Sequence, residues 1–159
     1  MTDKKIAAAL RKLEYGVYVV TMGKGNDGNA FTASWVTQIS SAPPMVALAV
    51  HNKHQSSRLL QEHGAFVLNL IDKDQIAVAQ TYYGPAESGY EKLKHAAVKA
   101  SPGTGTAMLD GAVGYLDCRI VKMVPAGNHT LLVADVVAGE ISSDRPILTT
   151  TSGKLHYAG

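Results

Sequence analysis

Two long strand-like stretches late in this chain, residues 112–124 and 130–141, are separated only by Pro125-Ala126-Gly127-Asn128. A parallel pair needs a crossover of a dozen or more residues, so so short a connection makes these strands antiparallel neighbours. Further strand patterns cover residues 17–22, 45–50 and 65–70, and a last one falls near 147–150. Helical spacing is confined to short segments. Ile6, Leu10 and Leu13 share one face behind an Asp3 N-cap; Ser56 or Ser57 caps a helix through Leu59 and Leu60 that Gly64 ends; residues 74–83 form a third. Strands do not alternate with long helices, which argues against a doubly wound parallel sheet. The expected class is mainly β with a few short helices, arranged as a small antiparallel barrel, closed or partly open.

Residues 29–44, NAFTASWVTQISSAPP, alternate in character. Thr32, Ser34, Gln38 and Ser40 fall on one parity, and Phe31, Ala33, Trp35 and Ile39 on the other. Period-two alternation predicts one strand with a greasy face for the core and a small, hydroxyl-rich face with room for a flat polar ligand. The pattern alone is equally served by an exposed antiparallel face. Pro43-Pro44 stops the strand, because proline has no N–H for a ladder. Upstream, Gly23, Gly25 and Gly28 spell GxGxxG after a strand. Dinucleotide binding would need a helix next and an acidic residue about 20 positions on. A strand follows instead, and residues 42–50 hold no carboxylate, so the glycines form a hairpin loop.

Lys53, His54, Ser56, Ser57 and Arg58 gather donors at a helix start, where free N–H groups and the helix field favour an anion. The same group also suits a capped helix with solvated cations. The 159 residues suit one domain, 1–159, and 46% hydrophobic with 18% charged residues is an ordinary globular composition. A net charge of +2, from scattered basic residues, gives no footprint for nucleic acid. No apolar run is long enough to span a bilayer, and residues 1–16 do not read as a signal peptide. Cys118 is the single cysteine, which rules out an internal disulfide, an iron–sulfur cluster and a cysteine-based zinc site within one chain. It lies in a strand pattern and reads as a structural thiol, and a reducing cytoplasmic location is the simplest expectation. The histidines show no metal-ligand spacing with carboxylates, and no GxSxG elbow occurs.

The order and spacing of four segments resemble the FMN-binding split-barrel proteins of the flavin reductase family, including flavoredoxin-type proteins. They are LRKLEYGVYVV at 10–20, residues 29–44, residues 45–69 through HNKHQSSRLLQEHGAFVLN, and Gly127-Asn128-His129-Thr130 in place of the family's Gly-Asp-His. The resemblance implies an antiparallel split β-barrel that binds FMN, or sometimes FAD, in a homodimer with flavin sites near the interface. It implies that NAD(P)H is the electron donor, with a hydride passing to flavin N5 and on to an acceptor. By resemblance, Asn29, Thr32, Ala33, Ser34 and Trp35 line the isoalloxazine and ribityl chain, with Ser40 added by parity. Lys53, His54, Ser56, Ser57 and Arg58 take the flavin phosphate, and His129 lies on the nicotinamide side as the candidate catalytic residue. Asn128 stands where the family has Asp, which removes a carboxylate that could hold the imidazole. Tyr82, Tyr83 and Tyr90 would cover the flavin or fill a dimer groove, with core or interface packing preferred, and Glu91-Lys92-Leu93 resembles an Asp-Lys-Phe element. Two other readings share this fold: a non-enzymatic FMN-bound electron carrier fed by a protein partner, and a split barrel that handles pyridoxal phosphate or haem.

Overall fold

The hairpin expected late in the chain is the spine of the sheet. In the computed structural model, which describes residues 3–84 and 92–157, β8 (Gly114–Ala126) and β9 (His129–Ile141) pair antiparallel from Ala126↔His129 to Gly114↔Ile141. Gly127 and Asn128 make the turn, and Gly127 has φ +62°, a conformation that only glycine enters without strain. Five more strands flank this pair: β1 (Tyr18–Met22), β2 (Asn29–Ala33), β3 (Val36–Ser41), β4 (Pro44–His51) and β5 (Ala65–Leu70). The sheet order is β2-β1-β5-β8-β9-β4-β3, antiparallel throughout.

That order decides the architecture. β2 and β3 are opposite edges of a seven-stranded sheet, yet only Ser34 and Trp35 separate them in the chain. Consecutive Cα atoms are about 3.8 Å apart, so the two edges lie within roughly 11 Å where the chain crosses. The sheet therefore curls until its edges nearly meet without pairing, which is a split barrel. The expectation of one strand over 29–44 is corrected here: the stretch breaks at Ser34-Trp35, and Pro44 begins β4 rather than following the last strand. The GxGxxG segment is a hairpin loop, with Met22 opposite Asn29 and Gly23 at φ +77°.

Alternation on β1 fills two cores. Val20 and Met22 join Leu48, Phe66, Leu68 and Leu132 inside the curl. Val17 and Val19 join Ile71, Leu93, Leu109 and Leu148 on the other face. Three helices are short: α1 (Lys4–Leu10), α3 (Ile76–Thr81) and α4 (Thr150–Gly153); α2 (Gln55–His63) is the longest. Asp3 caps α1 by accepting from the Lys5 N–H at 2.7 Å, but the helix ends at Leu10, before Leu13 of the expected face. Ile6, Leu10 and Leu13 are each more than half exposed, so their stripe meets no core of its own chain. A second, two-stranded sheet pairs β6 (Val98–Ala100) antiparallel with β7 (Ala107–Leu109), where the sequence carries turn signals at Ser101-Pro102-Gly103 and Asp110-Gly111 and no strand was expected. The strand expected near 147–150 is reduced to single bridges, Asp72↔Ile147 and Gly16↔Thr149. Tyr90 and Glu91 lie outside the described residues. Cys118 is fully buried, and burial together with Asp117 pushes its thiol up to about 12, so it is inert as a nucleophile. No helix among the described residues is long and apolar enough to cross a membrane.

Candidate functional site

The split carries a cleft of about 590 Å³. β2 contributes Asn29, Phe31 and Thr32; the turn into α2 contributes Lys53, His54, Gln55 and Ser56. Tyr82, Tyr83 and Lys92 come from the segment after α3, and Tyr157 from the C-terminal tail. The two donor-rich stretches singled out in the sequence, more than 20 positions apart, thus face one cavity. Thr32 fixes the β2 edge: its N–H donates to the Tyr82 carbonyl at 3.1 Å and its hydroxyl to that of Ala79.

The turn into α2 is held by the long hairpin. Asn52 N–H donates to the Asn128 carbonyl at 3.0 Å, and the Thr130 hydroxyl donates to Asn52 Oδ1 at 2.7 Å. His54, rather than Ser56 or Ser57, occupies the N-cap position, and no side chain caps the helix. The serine caps expected from sequence do not form because α2 begins two or three residues earlier than they require. Ser56 lines the cleft, whereas Ser57 and Arg58 do not. Successive helical positions turn by about 100°, which carries these two round from the cavity. Arg58 instead faces Glu62 at 3.8 Å in an exposed pair.

Beside the main cavity, a recess of about 40 Å³ is walled by Ala33, Ser34, Trp35, His51 and His54. Here aromatic rings gather. Trp35 lies 4.8 Å from His129 and 5.0 Å from Tyr157, centre to centre, and His51 lies 5.0 Å from His129 and 5.1 Å from His54. His129 is 4% exposed. Its Nδ1 meets Asn128 Oδ1 at 2.7 Å and its Nε2 meets the Tyr157 hydroxyl at 3.1 Å. Burial, then the nearby His51 and His54, hold His129 below the ordinary histidine range. The neutral ring therefore donates from Nδ1 to Asn128 and accepts at Nε2 from Tyr157, whose phenol burial keeps protonated. Asn128 thus orients the imidazole without the carboxylate that the resemblance implies at this position. Burial and His51 also lower His54.

The sequence-expected residues divide into three groups. Asn29, Thr32, Lys53, His54 and Ser56 share the main cavity; Ala33, Ser34 and Trp35 line the small recess, with His129 packed against Trp35. Ser40, Ser57 and Arg58 line neither. Ser40 fails because parity does not survive the break at Ser34-Trp35, nor the bulge between Gln38 and Ser40, and β3 is the opposite edge. Lys92, Gln55 and Tyr157 were missed as lining residues. Lys92 is half-buried, which lowers its pKa, and its ammonium donates to the Tyr82 and Gly84 carbonyls. Its only sequence signal was the Asp-Lys-Phe likeness; Leu93 beside it is core.

Residues 10–159 match the family model of the flavin reductase like domain. The chain belongs to the flavin reductase-like family. It is 29% identical over 155 residues to the NADPH-flavin oxidoreductase of Streptomyces viridifaciens, covering 96% of this chain and 79% of that protein. It is 31% identical over 140 residues to the reductase component of 4-hydroxyphenylacetate 3-monooxygenase of Thermus thermophilus, covering 88% and 86%. It also matches diflavin flavoprotein A 1 of Synechocystis sp., 26% identical over 144 residues, where it spans only 24% of the longer protein. Among solved structures, the NADH:FAD oxidoreductase SgcE6 of Streptomyces globisporus superposes with a TM-score of 0.83 at 23% identity, covering 96% of this chain and 93% of that one. The flavin reductase PheA2 gives 0.82 at 24%, covering 98% and 97%. These two likenesses show the split-barrel fold.

The residues of this family member fit a flavin. The Ser34 hydroxyl is buried and has no hydrogen-bond partner among the described residues, a state that costs free energy until a ligand edge supplies one. The main cavity carries Lys53, Lys92 and the uncapped first turn of α2 for a phosphate, and Phe31 and Trp35 offer flat apolar surface.

Proposed function

We propose that this protein is an NAD(P)H-dependent flavin reductase that works as a cytoplasmic homodimer on FMN, with FAD as the alternative, and that its one domain, 1–159, holds the binding residues. The reading is carried by one observation: the crossing at Ser34-Trp35 brings the β2 amide and hydroxyl stretch to face Lys53, His54 and Ser56 across a single cavity. A flavin held by these residues would supply the redox chemistry, hydride transfer from a reduced nicotinamide and electron delivery to an acceptor.

The chain's own residues bind and orient. Lys53, Ser56 and the first amides of α2 hold the phosphate, with Lys92 as a second cation from the segment after α3. Asn29 and Thr32 meet the ribityl chain, and Ser34 gives its hydroxyl to the polar ring edge. Trp35 is an apolar shelf. His129, neutral and held at both nitrogens, presents an uncharged ring beside that shelf, so it positions a nicotinamide by packing rather than by charge. The acceptor is a separate oxygenase that takes reduced flavin, by analogy with the Thermus thermophilus reductase component. The likeness to a segment of a diflavin flavoprotein favours a second reading, an electron carrier that a partner protein reduces.

The visible spectrum of the FMN-loaded protein under anaerobic conditions tests the choice. Rapid bleaching by NADH or NADPH is expected and names the donor. A yellow protein that neither nucleotide bleaches would refute the reductase and leave the carrier.

A further inference from the structure

Tyr157, like Thr32, lines every part of the site. It lines the main cavity of about 590 Å³, the recess of about 40 Å³ over Trp35 and His51, and a third of about 10 Å³ against Val17 and Leu155. Ser34 lines only the two small recesses, and its unpartnered Oγ belongs to a residue that is 7% exposed. A space of 40 Å³ is about the share of one water molecule, whereas a cavity that takes benzene measures about 150 Å³. No flat ring reaches the Ser34 hydroxyl while Tyr157 stands where it does.

The hold of Tyr157 is local. The tail is anchored one step earlier, where the Leu155 N–H donates to the Thr150 carbonyl at 3.1 Å and the Leu155 side chain packs on the second core. Among the described residues, His156 and Tyr157 make no backbone hydrogen bond. Tyr157 is kept by its hydroxyl on His129 Nε2 at 3.1 Å and by its ring, edge-on to Trp35 at 5.0 Å.

We propose that the Tyr157 ring is a displaceable occupant of a ring-binding subsite formed by Ser34, Trp35, His51 and His129, which a planar heteroaromatic ligand with a hydrogen-bonding edge takes by swinging Tyr157 outward. Trp35 and His129 supply the flat surface, and Ser34 supplies the edge contact that Tyr157 leaves unmade. Both the isoalloxazine and the nicotinamide carboxamide have this chemistry, and the choice of these two as probes rests on the flavin reductase reading. A self-occupied subsite lowers apparent affinity by the fraction of molecules in which it is open, so deleting the occupant tightens binding. A fixed wall or a stacking partner at this position has the opposite sign.

The test is calorimetric titration of the flavin-free protein with FMN and, separately, with NAD+, for wild type, Tyr157→Ala and Tyr157→Phe. Trp35, the single tryptophan, reports folding and ring arrival through its emission. Tyr157→Ala is expected to tighten one ligand about three- to tenfold, the scale of one hydrogen bond and its ring contacts. Tyr157→Phe moves the same way by less, and carries the sign if the alanine variant does not fold. The ligand that tightens names the ring. Affinity unchanged or weakened for both ligands, with wild type binding FMN, overturns the subsite and leaves the reductase reading standing. Folded protein that binds neither ligand in any variant overturns both.

Discussion

Ser34→Ala separates what this residue costs the fold from what it gives the ligand. Its hydroxyl is buried without a partner in a residue 7% exposed. An unmet buried hydroxyl costs about 1–3 kcal/mol. The adjoining recess of about 40 Å³ is large enough to admit one water, so the low end, about 1 kcal/mol, applies here. Alanine keeps the Cβ and removes only the oxygen. The flavin-free variant is therefore more stable than wild type by about 1 kcal/mol, which raises Tm by about 2–4 °C in a chain of this size. With ligand the sign reverses, because the hydroxyl then has a partner to lose. FMN binding weakens by about two- to tenfold, the worth of one hydrogen bond. Urea and thermal unfolding of the flavin-free protein give the first quantity, and FMN titration gives the second. The reasoning requires both signs. A variant that is less stable without flavin, or that binds FMN as well as wild type, refutes it.

Lys92→Met is expected to weaken FMN binding about tenfold, as for a charge-assisted phosphate contact. Ser57→Ala, on the helix face turned from the cavity, leaves binding unchanged, and equal losses in the two titrations would sink the phosphate assignment. His129 is held below its ordinary value, so the unfolded chain takes up that proton first; this contribution to stability is complete above about pH 6.5 and is lost as pH falls below it. Asn128→Asp places a carboxylate at the Nδ1 that now contacts an amide at 2.7 Å, favours the charged ring and reverses that slope. Because Asn128 is exposed, the gain over wild type between about pH 8 and about pH 5 is held to about 1 kcal/mol; parallel unfolding profiles would refute the contact. Sedimentation at about micromolar protein is expected to give a dimer, with Leu10→Lys on the exposed Ile6, Leu10 and Leu13 stripe weakening it; a wild-type monomer would refute the dimer.

Much of the fold was legible because it depends on neighbours in the chain. The 112–141 hairpin follows from alternation on both sides of a short connection, and β1, β4 and β5 follow from their own short apolar runs. The glycine loop was separable from a dinucleotide fingerprint because a strand, not a helix, comes after it. Cys118 could be read as structural from the apolar strand around it. The donor residues of β2 and of the turn into α2 were legible as chemistry, since hydroxyls, amides and cations at a helix start have one set of uses wherever they are placed.

Side-chain alternation over 29–44 carries a local period of two, and it holds only while the backbone stays extended. At Ser34-Trp35 the chain leaves one sheet edge for the other, and parity is lost, which misplaced Ser40. The sequence by itself therefore determined the strand character of β1, β4, β5 and the late pair, that this pair is antiparallel, and which residue types could meet a flavin. Only the tertiary structure decided that the two edges curl to within a two-residue step. That curl sets Lys53 and His54 opposite β2, carries Lys92 and Tyr157 into the same cleft from positions without a periodic signal, and leaves Ser34 unpartnered. These outcomes depend on the summed twist of seven paired strands, which no window of sequence contains.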